Sequence, residues 1–433
     1  MANSALLPSN AAAVGPSSSF DTLFRSALFI AVFLILWITF RPFPSLAEPG
    51  EVTAAGDLTN QLGYTTVFLM LAGWCLTHDP SRLALLVRPI LVVTVLWLVL
   101  SVAKSWEPAL AARRLAFTLV TTGIAAMVLL LPRNVRHFSD LLATAVLIVI
   151  ALCYLGVLFA PGRAIHQATD FVEPELAGDW RGLFGHKNEA SATMVLFVFV
   201  GLFVARVRRL AVGGLIVASA GLFLLMTYSK TSIAMLPIVL IISNVLGRIR
   251  NPVVGIGLAL SVLAAFNLLS VGSIYFEWVR NLLDTVLADA SFTGRNDVWQ
   301  FAIDNLLKRP ITGYGYSAFW GTEEVVFGLA GNAVWANTAG HAHNGYLDIA
   351  LSVGIPGSLL VTLWLVVLPL VDYYRCPHEA DAAPLQMLFL RVCLFAAYAS
   401  CFESMLIETG SLGLFLIASA FALRFLSLTH VVL

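Results

Sequence analysis

The sequence predicts an all-α integral membrane protein with about twelve transmembrane helices and a long outward-facing loop that contains short helices. Of the 433 residues, 59% are hydrophobic and only 12% are charged, and the mean hydropathy is +0.88. Apolar windows of roughly 17 to 25 residues, the length that crosses a bilayer, recur along the chain. Lipid cannot satisfy free backbone polar groups and these runs are too long for barrel strands, so the spans must be helices.

The predicted spans divide the chain into four parts. Residues 1–22 form a disordered cytoplasmic N-terminus, 23–272 carry the first nine helices, 273–342 form the large outward loop, and 343–433 carry a His-bearing helix and the last three spans. The spans lie near 24–40, 62–77, 83–103, 114–132, 138–160, 189–205, 210–227, 231–247, 252–272, 353–371, 385–403 and 410–428.

The charges of the short loops predict the orientation. Basic residues collect on one side, which the positive-inside rule makes cytoplasmic, together with both termini. The outward side receives Glu48, Glu51 and Asp57 and the two long loops. Arg113 and Arg114 are the exception on the outward side, so they either cap a span or mark a misplaced boundary. The basic residues on the cytoplasmic side are Arg82, Arg88, Arg133, Arg136, Arg206, Arg208, Arg209, Arg248, Arg250 and Arg375.

Net charge and cysteine usage exclude several classes of function. The formal net charge is zero, which argues against nucleic acid as a partner. The five cysteines lie in or beside apolar runs without paired spacing, so they predict neither a disulfide framework nor a zinc site. They are Cys75, Cys153, Cys376, Cys393 and Cys401.

Polar residues gather at four predicted helix starts on the outward side. A helix N-terminus offers free N–H groups and a positive dipole end, so an added Arg or Lys favours a phosphate or diphosphate ligand. The alternative is that each cation simply reaches the headgroups or marks a span end. The starts follow Arg181 to Asn188 (with Lys187), Tyr228 to Ser232 (with Lys230), Thr293-Gly294-Arg295, and His341 to Asn344.

Arg295 opens a predicted amphipathic surface helix through Lys308, in which Val298, Phe301, Ala302 and Leu306 share a face. A basic side chain in the first turn opposes the helix dipole, and that cost makes sense if Arg295 binds an anion. The alternative is an ordinary ion pair of Arg295 with Asp297 or Asp289.

A turn-rich stretch follows at Gly313-Tyr314-Gly315-Tyr316. Its backbone can approach a ligand closely, while Tyr314, Tyr316, Phe319 or Trp320 offer rings for stacking on a sugar. Aromatic rings are equally common as anchors at the membrane interface.

His341-Ala342-His343 holds two imidazoles, but the sequence places no further metal ligand beside them, so a general base is favoured over a metal site. An imidazole can accept a proton from a hydroxyl when a carboxylate orients it. Asp348, Glu323, Glu324 or another loop acid are the candidates for this partner, and the sequence does not choose among them. Glu403 and Glu408 flank the last outward loop, where they either face the same cavity or, more simply, lie in headgroup water.

These motifs resemble the O-antigen ligase and polysaccharide polymerase superfamily of membrane glycosyltransferases. His343-Asn344, nine residues and Gly354-Ile355-Pro356-Gly357 match its His-Asn and Gly-x-x-Gly pattern. Thr293-Gly294-Arg295 and Gly313-Tyr314-Gly315 precede it in the expected order, and Arg181 with Gly185 to Asn188 matches the preceding loop. The Gly-His-Lys-Asn and Ser-Lys-Thr-Ser variants are most similar to exopolysaccharide polymerases of the succinoglycan type.

The resemblance implies a multi-pass protein of the bacterial inner membrane that transfers glycan from undecaprenyl diphosphate on the periplasmic face, without metal or other cofactor and with inversion. His343 would activate the acceptor hydroxyl. Arg181 and Arg295, with Lys187 and Lys230, would hold the diphosphate. His341, Asn344, Asn188, Tyr314 and Tyr316 would support them. Implied partners are the lipid-linked oligosaccharide, the bilayer, and chain-length regulator or export proteins. An O-antigen ligase acting on lipid A core, and a secondary transporter of an anionic solute, stay open as alternatives.

Overall fold

The computed structural model describes residues 19–38, 42–46, 58–171, 173–286, 295–329, 340–377, 382–406 and 411–429. Within these ranges every regular element is helical, apart from one isolated bridge between Ile165 and Trp180. The predicted all-α class is therefore confirmed. Several residues singled out above lie outside the described ranges: residues 1–18, Glu48, Glu51, Asp57, Asp289, Thr293, Gly294 and Glu408.

The helices follow the predicted spans in order. The α-helices are α1 (Ser19–Ile38), α2 (Leu58–His78), α3 (Pro80–Leu86), α4 (Pro89–Ala103), α5 (Pro108–Met127), α6 (Val135–Phe159), α7 (Pro161–Ala164), α8 (Lys187–Val207), α9 (Leu210–Met226), α10 (Lys230–Leu246), α11 (Pro252–Leu269), α12 (Gly272–Tyr275), α13 (Glu277–Val286), α14 (Arg295–Lys308), α15 (Gly345–Thr362), α16 (Leu368–Arg375), α17 (Ala383–Ala399) and α18 (Ser411–Thr429). Short π-helical segments lie at Glu324–Leu329 and Leu363–Val367.

Length and composition support a membrane protein. In the described part of the chain, six helices are long and apolar enough to cross a bilayer, or seven if α3 and α4, which meet at a bend of 70°, form one span. Four shorter apolar helices, α9, α10, α17 and α18, occupy further predicted spans. The remaining predicted span, the second along the chain, is occupied by α2. Asn60, Gln61 and His78 near the ends of α2 lower its mean hydropathy.

Helix α5 begins earlier than the sequence predicted. Helix α5 starts at Pro108 instead of residue 114, so Arg113 and Arg114 lie inside its second turn and the boundary was misplaced. A proline at the first helical position is favourable because its missing N–H would be unpaired there anyway. Helix α15 starts at Gly345, directly after the predicted helix start at His341 to Asn344, and runs on into the span predicted from residue 353.

The core of the bundle is built around α8 and α17. Helix α8 is buried continuously from Ala190 to Gly201, and α17 is buried at nearly every position from Leu385 to Ala399. The outer helices are different. Helix α11 exposes large apolar side chains such as Val253, which is the pattern of a helix that faces lipid.

The predicted surface helix is α14, and its predicted face is the side that packs inward. Val298 and Ala302 are buried, with Phe301 and Leu306 partly buried beside them. Trp299 joins this face and is fully buried. Helix α14 is therefore held firmly against the rest of the protein.

A break in α15 fixes the turn-rich stretch. Gly354 has a φ of +73° inside the helix, a conformation that costs little only for glycine. The carbonyls freed by the break accept backbone N–H groups from the predicted ligand-binding turn: Tyr314 N lies 2.8 Å from Leu351 O, and Gly315 N lies 2.9 Å from Ser352 O. The two glycine motifs of the sequence are thus partners of each other.

Candidate active site

Glu403 is the centre of the polar cluster at the loop-bearing end of the bundle. It lies in the turn after α17 and is buried. Its Oε1 accepts hydrogen bonds from Arg295 Nη2 at 2.9 Å and from Asn188 Nδ2 at 3.1 Å. Its Oε2 lies 3.3 Å from His343 Nδ1. One carboxylate therefore joins three of the residues that the sequence singled out separately.

Glu403 is also the acid that the sequence left unassigned. A carboxylate bonded to an imidazole nitrogen fixes the tautomer of the ring. Since an ionised carboxylate only accepts, His343 Nδ1 carries the proton and Nε2 has the free lone pair. Of the candidate acids that the structure describes, Glu323 and Glu324 are exposed on the loop and do not take this place.

Helix α14 holds both the guanidinium and the histidine segment. Arg295 lies at its first residue, as predicted, but it pairs with Glu403 and not with Asp297. Its Nη1 also donates to Phe402 O at 2.5 Å. One turn later, the buried Trp299 donates from Nε1 to Ala342 O at 2.8 Å. The distance between Arg295 and the histidines is thus set by a single rigid helix.

His343 lies two residues before the start of α15. The prediction had instead placed it on a His-bearing helix. Its φ of +51° is rare for a residue other than glycine. Its backbone N–H donates to His341 Nδ1 at 3.2 Å. Asn344 then caps α15 by accepting from Leu347 N at 3.0 Å, and its Nδ2 donates to Cys401 O at 3.0 Å. Asn344 therefore fixes the histidine segment to the turn that carries Glu403.

The charges of the cluster are strongly coupled. Burial of the Glu403 carboxyl opposes its ionisation, but the hydrogen bond from His343 and the charges of Arg295, His343 and His341 outweigh this and lower the pKa of Glu403 to about 2. Burial, then the neighbouring charge of His343, lowers the pKa of His341 to about 4. At neutral pH, Glu403 is ionised and His341 is uncharged.

Asp348 supports the loop and does not orient His343. Its Oδ1 accepts from Ala342 N at 2.8 Å and from Trp320 Nε1 at 2.7 Å, and its Oδ2 accepts from the Ser404 hydroxyl. These bonds tie the first turn of α15 to the loops on either side of it.

Arg181 lies apart from Glu403 in the preceding loop. Its side chain is fully buried, with Nη1 donating to Phe184 O at 3.1 Å and Nη2 donating to Pro44 O at 2.8 Å. Its Nε is buried without a hydrogen-bond partner in the described residues. Burial lowers the pKa of Arg181. The structure brings Arg295 to His343 but gives Arg181 no contact with either.

The start of α8 is capped by two histidines. Lys187 N–H donates to His166 Nε2 at 3.3 Å, and Asn188 N–H donates to His186 Nδ1 at 3.1 Å. The Lys187 ammonium pairs with Asp179 Oδ2 at 2.5 Å. The expectation of free N–H groups at this helix start therefore does not hold for its first two residues, because imidazoles take them up.

Lys230 keeps an exposed position at the start of α10. The residue before it, Ser229, donates to Asn188 Oδ1 at 3.2 Å. The α10 start thus reaches the same cluster through Asn188, which holds Glu403 with its other amide atom.

The preceding loop adds Glu173, His166 and Asp170, which the sequence did not single out, beside His186 of the Gly-His-Lys-Asn motif. His186 Nε2 donates to Glu173 Oε2 at 2.8 Å, and His166 Nδ1 donates to Asp170 Oδ2 at 2.9 Å. The hydrogen bond from His186 lowers the pKa of Glu173, with a smaller contribution from His343. The signal available in the sequence was weak for Glu173, His166 and Asp170, since none of the three belongs to a motif.

Tyr314 and Tyr316 are packing residues in this structure. Both are buried. Tyr314 donates its hydroxyl to Asn305 O at 3.0 Å, and the Tyr316 hydroxyl lies 2.8 Å from Thr118 Oγ1. Neither ring presents a free face for stacking on a sugar.

In the described ranges, no group of three or more His, Cys, Asp or Glu side chains is arranged to hold a metal ion. The five cysteines are free thiols and buried.

Comparison with known proteins bears on the family that the chain resembles. Residues 214–362 match the family model described as O-antigen ligase. The predicted family resemblance is confirmed. The match contains Lys230, Arg295 and the His343-Asn344 motif, whereas Arg181 and Glu403 lie outside it.

The chain is also similar to a relative from Rhizobium meliloti (strain 1021), the exopolysaccharide production protein ExoQ. The two are 27% identical over 198 residues, which are 43% of this chain. The match spans 45% of the length of the relative. The chain is thus similar to O-antigen ligases and to an exopolysaccharide production protein.

Proposed function

We propose that the protein is a membrane glycosyltransferase that transfers oligosaccharide repeat units from undecaprenyl diphosphate to a sugar hydroxyl, in exopolysaccharide biosynthesis. The single observation that carries this proposal is the Glu403 carboxylate, which bonds Arg295 through one oxygen and His343 through the other. An anion-binding cation and a base with a fixed tautomer are thereby held side by side. O-antigen ligases and ExoQ, the known proteins that the chain resembles, support the same class.

The chemistry needs no bound metal. The acceptor hydroxyl gives its proton to His343 Nε2 while its oxygen forms a bond to the anomeric carbon. The bond between that carbon and the diphosphate oxygen breaks, and the electron pair leaves with the diphosphate. Arg295 meets the charge that grows on the leaving group, a contribution that is largest in the transition state. A single displacement of this kind inverts the anomeric centre.

Further basic residues complete the proposed donor site. Lys230 is exposed and can reach an anion without rearrangement. Lys187 and Arg181 hold protein acceptors in this structure, so each must exchange an internal bond for a phosphate oxygen. Arg181 has one nitrogen, Nε, that is already unpaired within the described residues.

We place the site on the periplasmic face of a bacterial inner membrane, with both chain termini in the cytoplasm. The distribution of loop arginines supports this orientation by the positive-inside rule. The lipid-linked donor and the bilayer are then the principal partners, with a chain-length regulator or export proteins beside them. Polymerisation is favoured over ligation because the similar ExoQ is by name a protein of exopolysaccharide production.

Reconstitution tests the proposal directly. The purified full chain in liposomes is given a defined undecaprenyl-diphosphate-linked repeat unit, with and without a lipid A core acceptor. Polymer formed without the core supports a polymerase, and glycan attached to the core supports a ligase. Movement of an anionic solute with no change in the lipid-linked glycan would reject both and favour a transporter.

A further inference from the structure

Both terminal nitrogens of Arg295 are bonded to protein acceptors. Nη1 donates to Phe402 O and Nη2 to Glu403 Oε1, and the side chain is 17% exposed. A guanidinium grips a diphosphate best through two parallel N–H bonds. A diphosphate that takes the two N–H groups now directed at Phe402 O and Glu403 Oε1 displaces the Glu403 carboxylate.

We propose that Glu403 is a positioning residue that exchanges partners: donor diphosphate takes Arg295 from it, and the carboxylate then pairs fully with His343. This inference rests on the proposed function. It assigns a regulatory role to the site, because the base receives its complete partner only when the donor is seated.

The surroundings of Glu403 suit such an exchange. When Arg295 leaves, Oε1 keeps the bond from Asn188 Nδ2, and Asn188 is itself held by Ser229. The carboxylate is therefore not left buried without a donor, which would be costly. With Arg295 and His343 in place, the pKa of Glu403 is lowered to about 2, so the carboxyl is ionised at neutral pH when the exchange begins.

The bond to His343 has room to tighten. The 3.3 Å between Nδ1 and Oε2 is long for a hydrogen bond to a charged acceptor, for which about 2.7 to 2.9 Å is typical. The ring is 34% exposed and is not wedged in place. The other groups that face it are the His341 ring, with centroids 4.1 Å apart, and the charges of Glu173 and Asp348.

The decisive variant is Glu403→Gln, measured with undecaprenyl diphosphate as the probe on the full chain in nanodiscs. Removing the competing carboxylate should tighten probe binding roughly three- to tenfold, although transfer falls on the order of 10²-fold because His343 loses its partner. A variant that binds better and transfers worse is the expected result. Weaker or unchanged binding by a folded Glu403→Gln protein would overturn the exchange.

A matched control separates exchange from simple charge removal. Glu173→Gln removes the same charge from a carboxylate near His343 that bonds His186, so it should tighten binding less than Glu403→Gln. Equal tightening would overturn the proposal. In the Arg295→Ala background, Glu403→Gln should no longer tighten binding of undecaprenyl diphosphate, since no guanidinium remains for the carboxylate to release.

The two proposals fail differently. Arg295→Ala with unchanged probe binding would reject the proposed donor site itself. Arg295→Ala with weakened binding, beside Glu403→Gln without a gain, would reject only the exchange.

A measurement on the unaltered protein covers the case in which Glu403→Gln does not fold. In protein labelled with ¹⁵N-histidine, saturating undecaprenyl diphosphate should move the Nδ1 proton resonance of His343 downfield, as its hydrogen bond shortens. His343→Gln assigns that resonance. An unmoved resonance at saturation would contradict the exchange.

Discussion

Two buried guanidinium–carboxylate pairs occupy opposite ends of the helix bundle. Arg88 Nη2 lies 2.5 Å from both oxygens of Asp372, and Ser427 adds a third bond to that carboxylate. Arg295 instead bonds a single oxygen of Glu403, whose other oxygen belongs to a partly exposed histidine. In the first pair, which we call the closed pair, both carboxylate oxygens bond the same guanidinium. In the second, the shared pair, the two oxygens bond different residues.

This difference suggests a way to distinguish an ion pair that only stabilises the fold from one whose groups are available to bind a ligand. A carboxylate whose donors all come from packed helices fixes those helices relative to one another, as Asp372 does for α4 and α18. A carboxylate that shares its oxygens between a cation and an imidazole at the surface links two groups that can still bind something else. Variants at the two pairs test that distinction.

The largest effect is expected at the shared pair. His343→Ala and Arg295→Ala should lower glycan transfer by about 10²- to 10⁴-fold, the usual contribution of a general base or of a charge that stabilises the transition state. The amount of folded protein in the membrane should stay the same. Normal chain-length distributions on a gel from both variants would reject the assignment.

The closed pair should behave in the opposite way. Arg88→Ala leaves a buried carboxylate without its cation and should cost about 3–5 kcal/mol of stability, measured as thermal unfolding in detergent. Transfer per folded molecule should not change. The double variant Arg88→Met/Asp372→Leu should recover much of the loss, since an apolar pair avoids the unpaired charge. A loss of turnover in folded protein would contradict a purely structural role.

A milder change sharpens the distinction. Arg295→Lys keeps the charge but not the planar fork, so it should lower transfer by about tenfold or more. The measurement is initial rate at several donor concentrations. Near-normal turnover would indicate that Arg295 is only an ion-pair partner of Glu403.

The smallest effect is a dependence of stability on pH. Because the pKa of His341 is lowered to about 4 in the folded protein, the unfolded chain binds the proton more tightly. Stability from this group is complete above its unfolded pKa of about 6.5 and is lost as pH falls toward 4, by about 1–2 kcal/mol between pH 7 and pH 5. His341→Gln should flatten unfolding temperature over that range, and an unchanged slope would assign it to other groups.

Sequence reasoning recovered the helices well because long apolar runs in a membrane protein allow few other structures. Hydropathy alone placed the span of α15 only from residue 353, because the preceding segment holds polar residues such as Asn344 and Asp348, which neighbours satisfy instead of water. Hydropathy cannot distinguish these two cases. The same limit misplaced the start of α5.

The sequence singled out Arg295 and His343, which the structure joins through Glu403, but it did not predict that Glu403 bonds both. A carboxylate at the end of a span has the same sequence pattern whether it faces headgroups or a buried histidine. Only the folding of α14 against the turn after α17 decides between them. The motif of Tyr314 and Tyr316 differs in the other direction: it suggested a ligand-binding turn, and in the structure both rings are buried and the turn pairs with the break in α15.

The left-handed backbone of His343 makes one replacement unusually informative. Glycine adopts that conformation without strain, so His343→Gly deletes the imidazole and leaves the fold of the segment intact. The resulting space adjoins an ionised carboxylate and opens toward solvent. Small soluble imidazoles added to the medium have a place to dock there, which makes this enzyme candidate suitable for chemical rescue.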